Sequence, residues 1–227
     1  AHVNRFSLPG ANRCVHFNMR ASWEDCRDYW KSLDGTNSQI RQEIISFLDL
    51  RPDCLHDMEL AVQNREDYLS FPTPRSWAML SNILTECGKA GITQSLVEDF
   101  ANSCVGPAVG IEFANFLEYW TKINCEEIFQ QGKMPNFEDS DISLQWAATG
   151  AVAHYFTNRL GVKNKPLTET HIENFYKFMN TLRMEFQVRT MKNINWAKNP
   201  KHLEACRKYD KEGIKELSTR VREMLMS

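Results

Sequence analysis

Few residues in this chain have types and spacing that could do chemistry, and the most informative run is Phe71-Pro72-Thr73-Pro74-Arg75-Ser76-Trp77. Thr73 is a good N-cap, and Pro74 follows at the first helical position, where its missing N–H costs nothing. Arg75 therefore falls in a first helical turn. A planar, multi-donor guanidinium there stands beside the positive end of a helix. Phosphate is a natural partner for both. On spacing alone the same run also reads as an ordinary surface Arg behind a well-capped helix start.

Other candidates read more simply. Gly106-Pro107-Ala108-Val109-Gly110 is glycine-rich but lacks the Lys of G-x-x-x-x-G-K-[ST], so it reads as an interhelical turn. No such P-loop occurs in the sequence, and no apolar strand ends in Asp-Glu to hold magnesium. Glu169-Thr170-His171-Ile172-Glu173 groups a His with carboxylates. Thr168 just ahead makes it a capped first turn, where acidic residues favour the dipole. His154, beside Tyr155 and Phe156 in an apolar segment, reads as a packed histidine rather than a base. Phe175, Tyr176, Phe178 and Met184-Glu185-Phe186 read as packing. No H-E-x-x-H, G-x-S-x-G or Cys–His pattern is present. The seven cysteines are scattered, with no C-x-x-C pair, which argues against a zinc site and for reduced thiols used as small hydrophobes.

Helices must position these residues. Ser22, with Asp25 three on, caps a helix carrying Trp23, Cys26, Tyr29, Trp30 and Leu33, closed by Gly35. A short helix carries Ile40, Ile44, Ile45, Phe47 and Leu48 until Pro52 stops it. The helix opened by Thr73 and Pro74 presents Trp77, Leu80, Ile83 and Leu84 on one stripe and ends at Gly88. Further starts fall at Thr93, at Asp139 or Ser140, and at Thr168. Gly106 to Gly110 separates two apolar helices, Gly132 to Ser140 is a bend, and Gly161 closes the segment from about 141 to 160. Charged helices around Gly213 fill Pro200 to Met226. Only Cys14 to Met19 alternates as a strand does. The expected fold is mainly α, a helical lid-like bundle plus a helical C-terminal extension, with a short residual β-strand near the N-terminus.

The net charge of −2 gives no reason to expect broad attraction to nucleic acid or an anionic membrane. The Lys and Arg residues between Arg183 and Arg222 are interspersed with acids and read as a solvated face. No apolar run is long enough to span a bilayer, and Ala1-His2-Val3-Asn4-Arg5 has no secretory h-region. With the scattered thiols, this points to a cytoplasmic protein.

Residues 71–77 closely resemble the Pro-Arg-Ser-Trp run that opens a lid helix in MoxR-type AAA+ ATPases. Asn4-Arg5-Phe6-Ser7-Leu8-Pro9 and Ala11-Asn12-Arg13-Cys14-Val15-His16-Phe17 resemble the end of that family's ATPase core, with Cys14 where relatives carry a larger residue. Ile44 to Leu48 with Arg51-Pro52-Asp53 resembles its Phe-Leu-x-x-Arg-Pro segment. Cys104 to Phe113 resembles its Val-Gly helix junction, and Met184-Glu185-Phe186 a C-terminal Glu-Phe pair. The similarity is specific at 71–77, moderate at 11–17 and 44–53, and weak after about 125.

The resemblance implies roles. Arg75 would be the sensor-2 residue that touches nucleotide phosphate from the lid, with Thr73 and Pro74 fixing its helix. Arg13, with Arg5 as the alternative, would be the arginine finger acting in trans on a neighbouring subunit. Residues 1–20 would be the tail of the core, 21–104 the lid and 105–227 the helical extension. ATP and magnesium would bind in the intact protein and not tightly to this chain, which alone would not hydrolyse ATP. The implied partners are a P-loop half upstream of Ala1, neighbouring ring subunits and a protein client. A stand-alone interaction module using Trp120, Phe129 and Trp146 is the alternative.

Overall fold

The computed structural model describes residues 9, 13–15, 22–32, 40–57, 70–88, 94–137, 142–161, 166–194, 196, 199–209 and 219. Local rules explain where its helices begin. In α1, Trp23–Ser32, the Ser22 hydroxyl accepts from the Asp25 N–H at 3.3 Å, and Glu24 and Asp25 complement the helix dipole. Helix α2, Gln42–Leu50, is apolar, and Pro52 turns its end into a 3-10 turn, Pro52–Leu55. Helix α3, Pro74–Gly88, starts where Thr73 and Pro74 predict. Next come α4, Gln94–Val105, α5, Pro107–Lys122, and α6, Cys125–Gln131. The chain continues through α7, Ile142–Asn158, α8, Glu169–Thr181, α9, Met184–Asn193, and α10, Pro200–Lys208.

The Thr168 cap also forms as predicted. The His171 N–H donates to the Thr168 hydroxyl, and His171 Nδ1 accepts from the Thr168 N–H, each at 3.3 Å. This reciprocal box accounts for the His among the Glu169–Glu173 carboxylates. Among the described residues no group of His, Cys, Asp or Glu could hold a metal. The expected break at Gly106–Gly110 is shorter: Gly106 alone separates α4 from α5, and Gly110 lies buried inside α5. Of the expected strand at 14–19, residues 14 and 15 belong to an exposed turn and 16–19 lie outside the described residues. Thr93, Asp139, Ser140, Gly35 and Gly213 also lie outside them. Among the described residues no strand occurs, and no helix is long and apolar enough to cross a membrane.

Two apolar clusters form the interior. The first joins α1 to α5 around Ile44, Phe47, Trp77, Leu80 and Phe113. The second joins α6 to α10 around Phe129, Phe156, Phe175, Phe178 and Phe186. The helices on either side of residue 105, α4 and α5, pack together in the first. Helix α7 serves both, giving Ala147 to the first and Val152 and Phe156 to the second. A helix that is apolar around its circumference must be covered around it. Helices α2 and α5 pack against one side of α7, and α9 also packs against it. Gly150 permits the α2 approach, because a Cβ there would run into the Ser46 hydroxyl.

The C-terminal end of α7 is held by a buried histidine of α10. His202 Nε2 lies 2.8 Å from the Phe156 carbonyl and 3.0 Å from the Leu160 carbonyl, supplying a donor that helix ends otherwise lack.

His154, also on α7, pairs with Asn158 at 2.8 Å. Burial pushes its pKa below the ordinary 6.5, Glu43 opposes this, and Arg159 adds to it. The unfolded chain therefore binds this proton more tightly than the folded chain. The stability of the neutral ring is present above about pH 6.5 and is lost as pH falls through the lower folded value. Urea midpoints measured at pH 7.5 and pH 5 should differ less in His154→Gln than in the parent. An unchanged difference would assign the acid sensitivity to other groups.

Candidate functional site

The run from Phe71 to Trp77 folds so that every polar group but one has a structural task. Thr73 and Ser76 form a reciprocal cap. The Ser76 N–H donates to the Thr73 hydroxyl at 3.0 Å, and the Thr73 N–H donates to the Ser76 hydroxyl at 2.8 Å. The Ser76 hydroxyl reaches the Thr73 carbonyl at 3.0 Å and the Phe71 carbonyl at 3.2 Å. Pro74 fills the first helical position. Trp77 is fully buried, its indole N–H donating to the Cys54 carbonyl at 2.9 Å. Its ring meets Phe47 and Phe113 with centroids 5.6 and 5.5 Å away.

The loop before this helix is pinned from two further sides. The Asp57 N–H donates to the Pro72 carbonyl at 3.1 Å. The Ser70 hydroxyl donates to the Asn102 carbonyl of α4 at 2.9 Å. Gly106 completes the contact with φ 90° and ψ 153°, a conformation open essentially to glycine. A Cβ there would also sit 3.0 Å from the Ser70 carbonyl oxygen. Gly106 therefore buttresses the loop that starts α3.

Arg75 stands apart in this assembly. It is exposed in the first turn of α3 and makes no hydrogen bond or ion pair with any described residue. No acid occupies that turn. A cation at a helix N-terminus opposes the dipole by roughly 0.3–1 kcal/mol. Arg51, the arginine of the Arg-Pro-Asp segment, is by contrast held by Asp53 at 2.8 Å and by Glu112. That guanidinium pulls the Asp53 carboxyl below its ordinary range. Arg13 is exposed in a turn and has no partner among the described residues. Arg5, its alternative, lies outside the described residues.

The thiols offer no nucleophile near this assembly. Burial, reinforced by Asp53, pushes Cys54 up to about 12, and burial alone takes Cys26 to about 11. Burial also takes Cys125 to about 12. None of these is a thiolate at neutral pH.

A second group of charges escaped the sequence reading. Asp49, buried in α2, takes the Trp23 indole N–H at 2.9 Å on Oδ1. The same oxygen meets Arg189 of α9 at 2.8 Å and Arg27 of α1 at 3.5 Å. Asp49 falls one position past Leu48 on the buried stripe of Ile44, Ile45 and Leu48. A carboxylate on such a stripe was the available signal, because a buried charge requires a partner. Arg189 thus departs from the solvated face expected of the C-terminal cations. Compared with protein families, with curated proteins and with solved structures, the chain matches none.

Ser76→Ala should cost about 1 kcal/mol, because the Thr73 N–H loses the hydroxyl that accepts from it while the Thr73 side-chain cap on the Ser76 N–H remains. Gly106→Ala should cost about 1–3 kcal/mol through strain. Chemical denaturation measures both. Equal stability of Gly106→Ala and the parent would show that the loop moves away from Gly106 without cost.

Proposed function

We propose that this chain forms the nucleotide-sensing lid and helical C-terminal extension of a chaperone-like MoxR-type AAA+ ATPase, with Arg75 as the phosphate-sensing residue. One observation carries this reading. In the run that resembles the family, Thr73, Pro74, Ser76 and Trp77 each have a structural role, and Arg75 alone has none among the described residues. The fold holds its helix start in place and presents a guanidinium that no described residue pairs with, set against the dipole. A phosphate oxyanion would satisfy both the guanidinium and the N-terminal N–H groups.

In this reading Arg75 couples lid position to nucleotide occupancy, and Arg13 reaches a neighbouring subunit's nucleotide in a ring. The donor set fits the phosphate end of ATP only. Magnesium has no candidate acidic cluster among the described residues. The P-loop is not among these 227 residues, so ATP and magnesium would be held by a core outside this sequence. ATP bound there supplies the phosphate that Arg75 contacts. The chain by itself performs no hydrolysis in this reading.

The interaction-module alternative finds less support. Phe129 is fully buried, and Trp120 and Trp146 are half-buried against Phe116 and Phe186, so they do not form an exposed apolar patch.

The test is ATP turnover by the chain alone and by the chain combined with the P-loop core of the same system. The chain alone should be inactive and the combination active. Arg75→Ala should leave thermal stability unchanged or slightly raised while lowering turnover of the combination at least tenfold. Arg13→Ala should lower it by about 10³, the scale of an arginine finger. Unchanged turnover in Arg75→Ala would overturn the sensing role.

A further inference from the structure

A cavity of about 780 Å³ opens between α1, α7 and α9, lined by Arg27, Trp146, Arg189, Lys192, Ile194 and Trp196. Its charge balance is unusual. Arg27 and Arg189 share the single buried carboxylate of Asp49, whose side chain is 2% exposed. Two guanidiniums against one carboxylate leave a surplus positive charge at the floor. Over the whole lining the charges balance, since Asp28 and Glu185 with Asp49 beneath stand against Arg27, Arg189 and Lys192, so the surplus is confined to the floor. Asp28 is 73% exposed, and Glu185 is exposed, so solvent screens both. Lys192 adds an exposed ammonium at the rim, with no ion pair to any described residue.

The arginines are also incompletely bonded. The Nε atoms of Arg27 and Arg189 are both buried and lack a hydrogen-bond acceptor. The carboxylate closest to Arg27 Nε is Asp28 Oδ1 at 3.6 Å, beyond hydrogen-bond reach. Arg189 is held flat, its guanidinium carbon 3.9 Å from the centre of the Trp146 ring, and burial lowers its pKa. Ion pairs that only brace a fold close around their partners. Here two oriented planar cations line an open space walled partly by apolar side chains, Trp146 and Trp196 among them, and partly by the polar Asp28, Glu185 and Asn193.

We infer that this cavity binds a small organic oxyanion, a carboxylate or phosphate head on an apolar body, with the head held by Arg27, Arg189 and Lys192. The indole of Trp196 and the exposed side chain of Ile142 receive the body. A bidentate oxyanion matches the planar fork of Arg better than a spherical ion does. The site uses neither Arg75 nor Arg13, so it stands or falls apart from the ATPase reading.

The test is titration of the full chain with benzoate, phenyl phosphate and inorganic phosphate, followed by calorimetry and tryptophan fluorescence. Saturable binding of at least one aryl anion, weakened by added sodium chloride and tighter than inorganic phosphate, is expected. Preference between the aryl ligands identifies the head as carboxylate or phosphate ester. Arg189→Gln should weaken binding at least tenfold and Lys192→Gln severalfold. Lys192 is exposed and makes no ion pair with a described residue, so its variant decides the matter even if Arg189→Gln fails to fold. No saturable binding of any probe would overturn the proposal. So would an unchanged affinity in Lys192→Gln, or inorganic phosphate binding as tightly as phenyl phosphate.

Discussion

The first half of the structure depends on what a buried tryptophan needs. Trp77 carries a large apolar body and one N–H that cannot go unpaired in a dry interior. The Cys54 carbonyl meets that N–H, which draws the 3-10 turn after α2 onto the first turn of α3. Phe47 and Phe113 then close on the ring from α2 and α5. Once this junction is made, residues 70–73 have little freedom. Asp57, Asn102 and Gly106 hold the loop from two sides, and the Thr73–Ser76 cap sets the helix direction. Among the described residues, the position of Arg75 follows from these contacts and not from a hydrogen bond or ion pair of its own.

The second half depends on α7. Its apolar circumference has to be covered, and the two aromatic clusters do this from either side. A buried carboxylate imposes a further constraint. Ionised Asp49 would be too costly to bury alone, and the fold answers with Trp23, Arg27 and Arg189 on one oxygen. Those partners come from α1 and α9, which are far apart in sequence. Their meeting at Asp49 ties the beginning of the described chain to its C-terminal helices across α2.

Local physics was legible in the sequence, and distant pairing was not. Ser22, Thr73 with Pro74, and Thr168 announced three helix starts because a cap is a bond across three residues. The second half of the Thr168 box was missed, since it uses a His where Glu or Gln is the usual partner. Gly110 was read as part of a break because glycine weakens a helix in isolation. In the fold it faces Asn102 of α4, where no larger residue fits. The Trp77–Cys54 bond and the Asp49–Arg189 pair span too much chain for any periodicity to reveal. Of the site itself, Arg75 was legible as a position in a capped first turn. That no described carboxylate pairs with it could be seen only in three dimensions.

The arginines sort by how the fold uses them. Arg51 is consumed by Asp53 and Glu112, so its charge is spent on joining the end of α2 to α5. Arg27 and Arg189 are used in part, since they share one carboxylate and leave buried N–H groups without acceptors. Arg75 is paired by no described residue, and its place at a helix N-terminus costs stability. In the proposed reading an oxyanion would offset that cost at Arg75, and one with an apolar body attached would take up donors of Arg27 and Arg189. The two sites differ in kind. One is an exposed point on a fixed helix, suited to a phosphate presented by another surface. The other is a walled cavity, suited to a molecule that enters it.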